Sequence, residues 1–164
     1  MRIIILPWLL SGCSVLAVAE TGYTTLPTQN LHGGSIAAHA GFGVSENADE
    51  GVVVPGFGFS GRARIHDGYA TIEPGLHAYA LVDYERWSFY VRGTTYMGAG
   101  IGKGTASFVF SPTLQPGVLL CPNSRVGWCG SISASVGYDV SPLYPGVMAG
   151  IQFGIGWGNV VSDL

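Results

Sequence analysis

The sequence has few charged side chains. Asp, Glu, Lys and Arg make up 10% of the 164 residues, against about 25% in an average soluble domain. Only seven residues are Lys or Arg and the net charge is −3, so the chain lacks the basic surface that nucleic-acid binding requires. Beyond the N-terminal segment, no apolar run approaches the about 20 residues of a transmembrane helix. These shortages exclude nucleic-acid binding and a helical membrane span.

The sequence also lacks the 3.6-residue apolar repeat of an amphipathic helix. From Ser35 onward its period is two, with bulky apolar residues alternating with Gly, Ser and a few charges. Such alternation places the two kinds of residue on opposite faces of a strand, so the pattern predicts an all-β domain. Seven strands are predicted near 35–44, 52–65, 69–84, 86–98, 105–120, 130–140 and 146–158. An eighth comes either from 22–30 or from splitting 105–120 at Pro112 or Pro116.

The predicted strands are joined by short segments rich in turn-forming residues. Examples are His66-Asp67-Gly68 and Gly102-Lys103-Gly104. Parallel neighbours need a crossover of a dozen residues or more, so these connections require antiparallel pairs. The expected topology is an up-and-down meander.

The N-terminus is typical of a secretory signal: Arg2 is followed by an apolar core that begins at Ile3. Leu10-Ser11-Gly12-Cys13 at the end of that core resembles the lipobox of bacterial lipoproteins, which implies acylation at Cys13. A second cleavage site is available after Ala17-Val18-Ala19, directly before Glu20. Cleavage before Cys13 is the prediction, with residues 1–12 as signal peptide, 13–34 as a lipid-anchored tether and 35–164 as the β-barrel domain.

The three cysteines fit this scheme. Cys121 and Cys129 lie eight residues apart, and in an oxidising compartment we expect them to form a disulfide that leaves Cys13 for a separate use. Two free thiols are the alternative. A zinc site is not expected, because two cysteines without a nearby histidine supply half a ligand set.

The small face of each strand separates two architectures. A soluble β-sandwich presents solvated side chains such as Lys, Glu and Thr on its outer faces. Here the second face carries Gly, Ser and isolated charges, which suits the interior of a narrow barrel of about eight strands. Over residues 33–158 the pattern, together with the lipobox, resembles small bacterial outer-membrane β-barrel proteins with a lipoprotein-type leader. That resemblance implies an outer-membrane location, with the soluble β-sandwich as the alternative.

Several charges fall on the small face. An Arg on a lipid-facing surface costs about 2–4 kcal/mol at the bilayer midplane, so these side chains are expected to form ion pairs inside the barrel. The predicted barrel-interior charges are Arg62, Arg64, Arg92, Asp83 and Asp139, with Glu73 as a further partner. A conducting pore is the alternative, although a barrel this narrow is packed with side chains.

The expected function is a small outer-membrane barrel lipoprotein with a structural or surface-interaction role and a lumen plugged by charged side chains. Its partners are the lipid bilayer and, as a possibility, an envelope protein or a glycan; no cofactor or metal is expected. A soluble lipid-tethered β-domain and an envelope lipid hydrolase are the alternatives. The hydrolase would combine His39 with Ser35 and Glu46, or His77 with Glu73 and Ser60, but neither set has a recognisable family spacing, and we expect no catalytic residues.

Overall fold

The structure, a computed structural model, describes residues 13–44, 51, 53–84, 87–121 and 126–160. It contains eight strands and one 3₁₀ turn, Pro27–Gln29. The strands are β1 (Cys13–Leu26), β2 (Leu31–Val44), β3 (Val53–His66), β4 (Tyr69–Asp83), β5 (Trp87–Gly102), β6 (Thr105–Leu120), β7 (Val126–Asp139) and β8 (Gly146–Val160). Among the described residues, no helix is long and apolar enough to span a membrane.

Each strand pairs antiparallel with its neighbours in sequence, and β1 pairs with β8, so the sheet closes into a barrel. The predicted all-β up-and-down topology of about eight strands is confirmed. A soluble sandwich would need two facing sheets, and that alternative is wrong because there is one closed sheet.

The predicted tether over residues 13–34 is wrong as a structural element. Residues 13–26 form β1, in which Cys13 pairs with Val44 of β2 and Ser14 pairs with Val160 of β8. The alternation that marks a strand is present there, since Val18, Glu20 and Thr24 face inward, but the apolar leader upstream obscured it. The eighth strand is therefore β1, and β6 runs unsplit past both of its prolines.

Two-residue turns set the register at the end of the barrel opposite the chain termini. Lys103 and Gly104 join β5 to β6 with φ values of 53° and 73°, the left-handed conformation that a tight hairpin turn with matching strand twist requires. Strands of 14–16 residues, tilted as in closed barrels, give a wall about 35–40 Å high. That height exceeds the about 30 Å hydrocarbon core of a bilayer.

The outer face of the wall is apolar along its whole height. Trp87 and Trp128 are exposed near the end that carries the termini, and Tyr23 and Tyr138 are exposed near the other end. Between them lies a belt of bulky side chains, each more than half exposed: Ile36, Phe57, Phe59, Leu76, Ile151, Phe153 and Ile155. The polarity is thus the reverse of that of a water-soluble domain.

Candidate functional site

Among the described residues, the interior of the barrel holds six buried side chains that carry charges of both signs. Three are carboxylates and three are guanidinium groups, and each residue is at most 4% exposed. Their formal charges sum to zero. They fall into two clusters stacked along the barrel axis, one centred on Glu20 and one on Arg64. The members are Glu20, Glu73, Asp139, Arg62, Arg64 and Arg92.

The Glu20 cluster lies in the half of the barrel nearer the termini. The carboxylate of Glu20 accepts hydrogen bonds from Arg92 Nη2 and from Gln115 Nε2, both at 2.8 Å, and from the Tyr90 hydroxyl at 3.1 Å. Gln115 also accepts a bond from Arg92 at 2.7 Å and donates one to Ser133 at 2.7 Å. This cluster joins β1, β5, β6 and β7 across the lumen, so no single strand holds it.

A histidine–serine chain extends from the same carboxylate. His39 Nε2 lies 3.1 Å from Glu20, and His39 Nδ1 lies 2.7 Å from Ser60 Oγ. Ser60 Oγ in turn lies 2.7 Å from His77 Nδ1. The four residues come from β1, β2, β3 and β4 in order, so the pairing register of adjacent strands aligns them diagonally across the inner wall.

The Arg64 cluster lies in the other half of the barrel. Arg64 bonds Glu73 through Nε at 2.8 Å and Asp139 through Nη1 at 2.6 Å. Arg62 bonds Glu73 at 2.6 Å and Ser111 at 2.8 Å, and Ser111 donates to Asp139 at 2.6 Å. The Arg62 guanidinium also lies 4.0 Å above the ring of Tyr96. Charge-assisted bonds of this kind are the strong class of hydrogen bond.

Apolar side chains lie at both ends of the stack. At the end with the termini they are Val18, Val54, Tyr79, Leu81, Tyr90, Leu119 and Cys129, with Leu16 and Cys121 against them. At the opposite end they are Leu26, Tyr69, Val109, Tyr144 and Met148. Both charged clusters therefore sit between two apolar layers, which lowers the local dielectric and strengthens the ion pairs.

Most of the sequence-predicted site residues fall inside this lumen. Arg62, Arg64, Arg92 and Asp139 lie there, whereas the side chain of Asp83, the last residue of β4, lies outside the described residues. The predicted disulfide between Cys121 and Cys129 is present and packs beside the apolar layer near the termini. Of the lipobox, residues 10–12 lie outside the described residues and Cys13 begins β1.

Sequence reasoning missed Glu20, which has more side-chain hydrogen-bond and ion-pair partners than the other charged residues described in the lumen. The predicted tether contains Glu20, and a carboxylate in a tether has no reason to be buried. The available signal was the alternation around it, because Val18, Glu20 and Thr24 share one face of a strand. Gln115 and Ser133 were missed for a different reason. Nothing in the sequence shows whether a neutral polar residue on the small face hydrogen-bonds a charged group or only occupies volume.

The proposed hydrolase sets meet only in part. His77 contacts Ser60 as one set requires, but Glu73 bonds the two arginines instead. In the other set Glu46 lies outside the described residues. Glu20, His39 and Ser60 do have the order of a nucleophile relay, but Ser60 is 8% exposed and lies between the two apolar layers. Within the described part of the chain, no group of three His, Cys, Asp or Glu is placed to hold a metal ion.

An apolar exterior around a polar, charge-balanced interior is the architecture of small β-barrels of the outer-membrane type. Two solved structures share the fold. The Neisserial surface protein A is 12% identical, with a TM-score of 0.62 over 92% of this chain and 98% of that chain. Ail, the attachment invasion locus protein of Yersinia pestis, is 13% identical, with a TM-score of 0.51 over 91% of this chain and 99% of that chain. No family model matches the chain, and no curated protein matches it in sequence.

Proposed function

We propose that this protein is a small bacterial outer-membrane barrel with a structural role, anchored by a lipid on Cys13 and closed to solutes by its own side chains. The observation that carries the proposal is the inverted polarity of the wall, with bulky apolar residues outside and every described charge of the strands inside. The two barrels of similar fold are bacterial outer-membrane proteins, which supports the location.

The bilayer accounts for the belt of exposed side chains. Ile36, Phe59 and Phe153 are each more than half exposed at mid-height, and in water each would leave apolar surface unburied at about 25 cal/mol per Å². In lipid the same surface carries no such cost. The Trp residues at one end and the Tyr residues at the other sit where the aromatic girdles of transmembrane barrels lie.

The strand bounds favour cleavage before Cys13 over cleavage after Ala19. Cleavage after Ala19 would leave only Glu20–Leu26 of β1 and remove its pairs with both neighbouring strands over residues 13–19. An open gap in the wall would expose unpaired backbone groups to lipid, which costs several kcal/mol for each group. Cleavage before Cys13 keeps the whole strand and places the acylated residue at the rim of the barrel.

The charged clusters and the two apolar layers support a closed lumen. An open channel would leave the six charged groups hydrated, whereas here each is at most 4% exposed and has an ion-pair partner. The role that follows is structural: a stable, non-conducting element of the membrane. A surface-interaction role would rest on the turns at the strand ends, and two of the four turns at the end opposite the termini, 67–68 and 103–104, have only two residues.

The test uses membranes from cells that express the protein with Cys13 intact or as Cys13→Ala. Both forms should stay in the pellet after an alkaline carbonate wash, since the wall itself is embedded. Release of Cys13→Ala alone would mean that the lipid was the sole attachment and would overturn the barrel in the membrane. Mass spectrometry of the N-terminus tests the anchor separately: a diacylglyceryl Cys13 is expected, and an unmodified Glu20 would refute it.

A further inference from the structure

The ladder between β6 and β7 is interrupted twice. Pairs are present at Thr113–Gly137 and Leu114–Val136, and again from Gly117–Ser133 to Leu120–Gly130. The intervening positions on β6, residues 111–112 and 115–116, have no ladder partner on β7. By contrast, β6 pairs with β5 without a break from Thr105 to Leu120. Of the two seams that β6 forms with its neighbours, only the seam with β7 is therefore weakened.

Two prolines account for the interruptions. Phe110 and Val140 exchange backbone hydrogen bonds, so even-numbered residues of β6 direct their N–H groups toward β7 and odd-numbered ones toward β5. Pro112 and Pro116 are both even-numbered and have no N–H to donate. The β4–β5 ladder has one such break, at Glu73 and Pro74, while β6–β7 has two within five residues.

Side chains of the lumen bridge the seam beside each proline. Next to Pro112, Ser111 donates to Asp139 across the seam at 2.6 Å. Next to Pro116, Gln115 donates to Ser133 across the seam at 2.7 Å. Each of these bonds ties one of the two charged clusters to the place where the backbone ladder is missing.

The outer side of the seam carries a shallow, open depression, lined among others by Pro112, Leu114 and Val136. The disulfide between Cys121 and Cys129 closes the β6–β7 hairpin beyond one end of the seam. The bridge between Phe110 and Val140 closes the other end. The weak stretch is thus bounded on both sides, and its centre is held by the two pairs Thr113–Gly137 and Leu114–Val136.

We propose that the β6–β7 seam is a lateral gate in the barrel wall. It opens between residues 111–116 and 134–139, connects the outer depression to the lumen, and is latched shut by the Ser111–Asp139 and Gln115–Ser133 hydrogen bonds. The opening is a local event that leaves the disulfide end of the hairpin closed. The lumen clusters therefore have a second role besides filling space, since they determine whether the wall is continuous.

Amide hydrogen exchange of the full chain in micelles tests the gate residue by residue. The Leu114 amide points into the seam, and the Gln115 and Gly117 amides point into the intact β5 ladder, so the control lies on the same strand. After correction for intrinsic rates, Leu114 should exchange at least about tenfold faster than Gln115 and Gly117. Exchange of all three at the same rate would overturn the proposal.

Three variants separate the latch from a strand that is merely frayed. Pro112→Val with Pro116→Val restores both donors and should slow Leu114 exchange to the rate of Gly117. Gln115→Met removes one latch and should speed Leu114 exchange while leaving amides of the β2–β3 ladder unchanged. A disulfide between the double substitutions Leu114→Cys and Val136→Cys should abolish the difference in exchange rate between the amide at position 114 and the amides of Gln115 and Gly117. If the proline variants fold and leave the Leu114 rate unchanged, or if Gln115→Met slows it, the gate is refuted.

Discussion

Replacing Glu20 by Gln should be strongly destabilising although it conserves side-chain shape. The carboxylate neutralises Arg92 at 2.8 Å and accepts bonds from Gln115 and Tyr90, and both ion-pair partners are almost wholly buried. An amide in its place is neutral and turns an N–H₂ group toward these donors. Removing one partner of a buried ion pair costs about 3–5 kcal/mol, a large part of the about 5–15 kcal/mol that stabilises a typical fold.

The assay is equilibrium urea unfolding in micelles, followed through the fluorescence of Trp87, Trp128 and Trp157. Thr21→Ser, at the outward neighbour of Glu20 on β1, is the matched control: it keeps the hydroxyl that donates to the Ser35 carbonyl at 3.2 Å and should change the free energy of unfolding by less than about 0.5 kcal/mol. Combining Glu20→Gln with Arg92→Met removes both charges and should recover more than half of the loss. If Glu20→Gln costs less than about 1 kcal/mol, or if the double variant is no better than the single, the charge-pair account of the lumen is refuted.

Three further changes test other parts of the wall. Ile151→Arg should cost about 2–4 kcal/mol in bilayers, while Ile151→Leu should be mild; equal losses in refolding assays would argue against a lipid-facing Ile151. A Cβ at Gly58 would clash with the backbone of Ala40, whereas a Cβ at Gly61 would have nothing within 4 Å. Gly58→Ala should therefore cost about 1–3 kcal/mol and Gly61→Ala should be tolerated. Thermal unfolding of the two variants checks this difference. Cys121→Ser should lower the free energy of unfolding by about 2–3 kcal/mol on the loop-entropy estimate, and a reductant should destabilise the unmutated protein by the same amount and leave the variant unaffected.

The strand pattern was predictable because alternation is a local signal. In β8, Ile151, Phe153 and Ile155 face outward and Gln152 faces inward, as the period of two requires. The inward position of Arg62 and Arg64 also followed from alternation, since each sits between apolar residues that belong on the other face. The prediction of a closed barrel rested on the inner face, where the pattern places Gly, Ser and isolated charges, with the soluble sandwich as its alternative.

The first strand and the lumen partners were not predictable from the same signal. Residues 13–19 carry an apolar run that reads as the end of a leader, and only the pairing with β2 and β8 shows that they form wall. Partner choice inside the lumen depends on strand stagger: Gln115 meets Glu20 although 95 residues separate them. Such contacts are set by the closed geometry of the barrel and by no spacing along the chain.

The most direct test of the membrane barrel is a nitroxide label placed in turn at each position from 147 to 157, with the protein in lipid bilayers and Cys13 replaced by Ser. The outward residues Val147, Ile151, Phe153 and Ile155 should collide with oxygen dissolved in the lipid, and Met148 and Gln152 should be shielded from it. The alternation should keep a period of two along the whole strand. Odd positions that are sealed from oxygen, or that collide instead with a water-soluble nickel complex, would contradict the claim that this wall spans a bilayer.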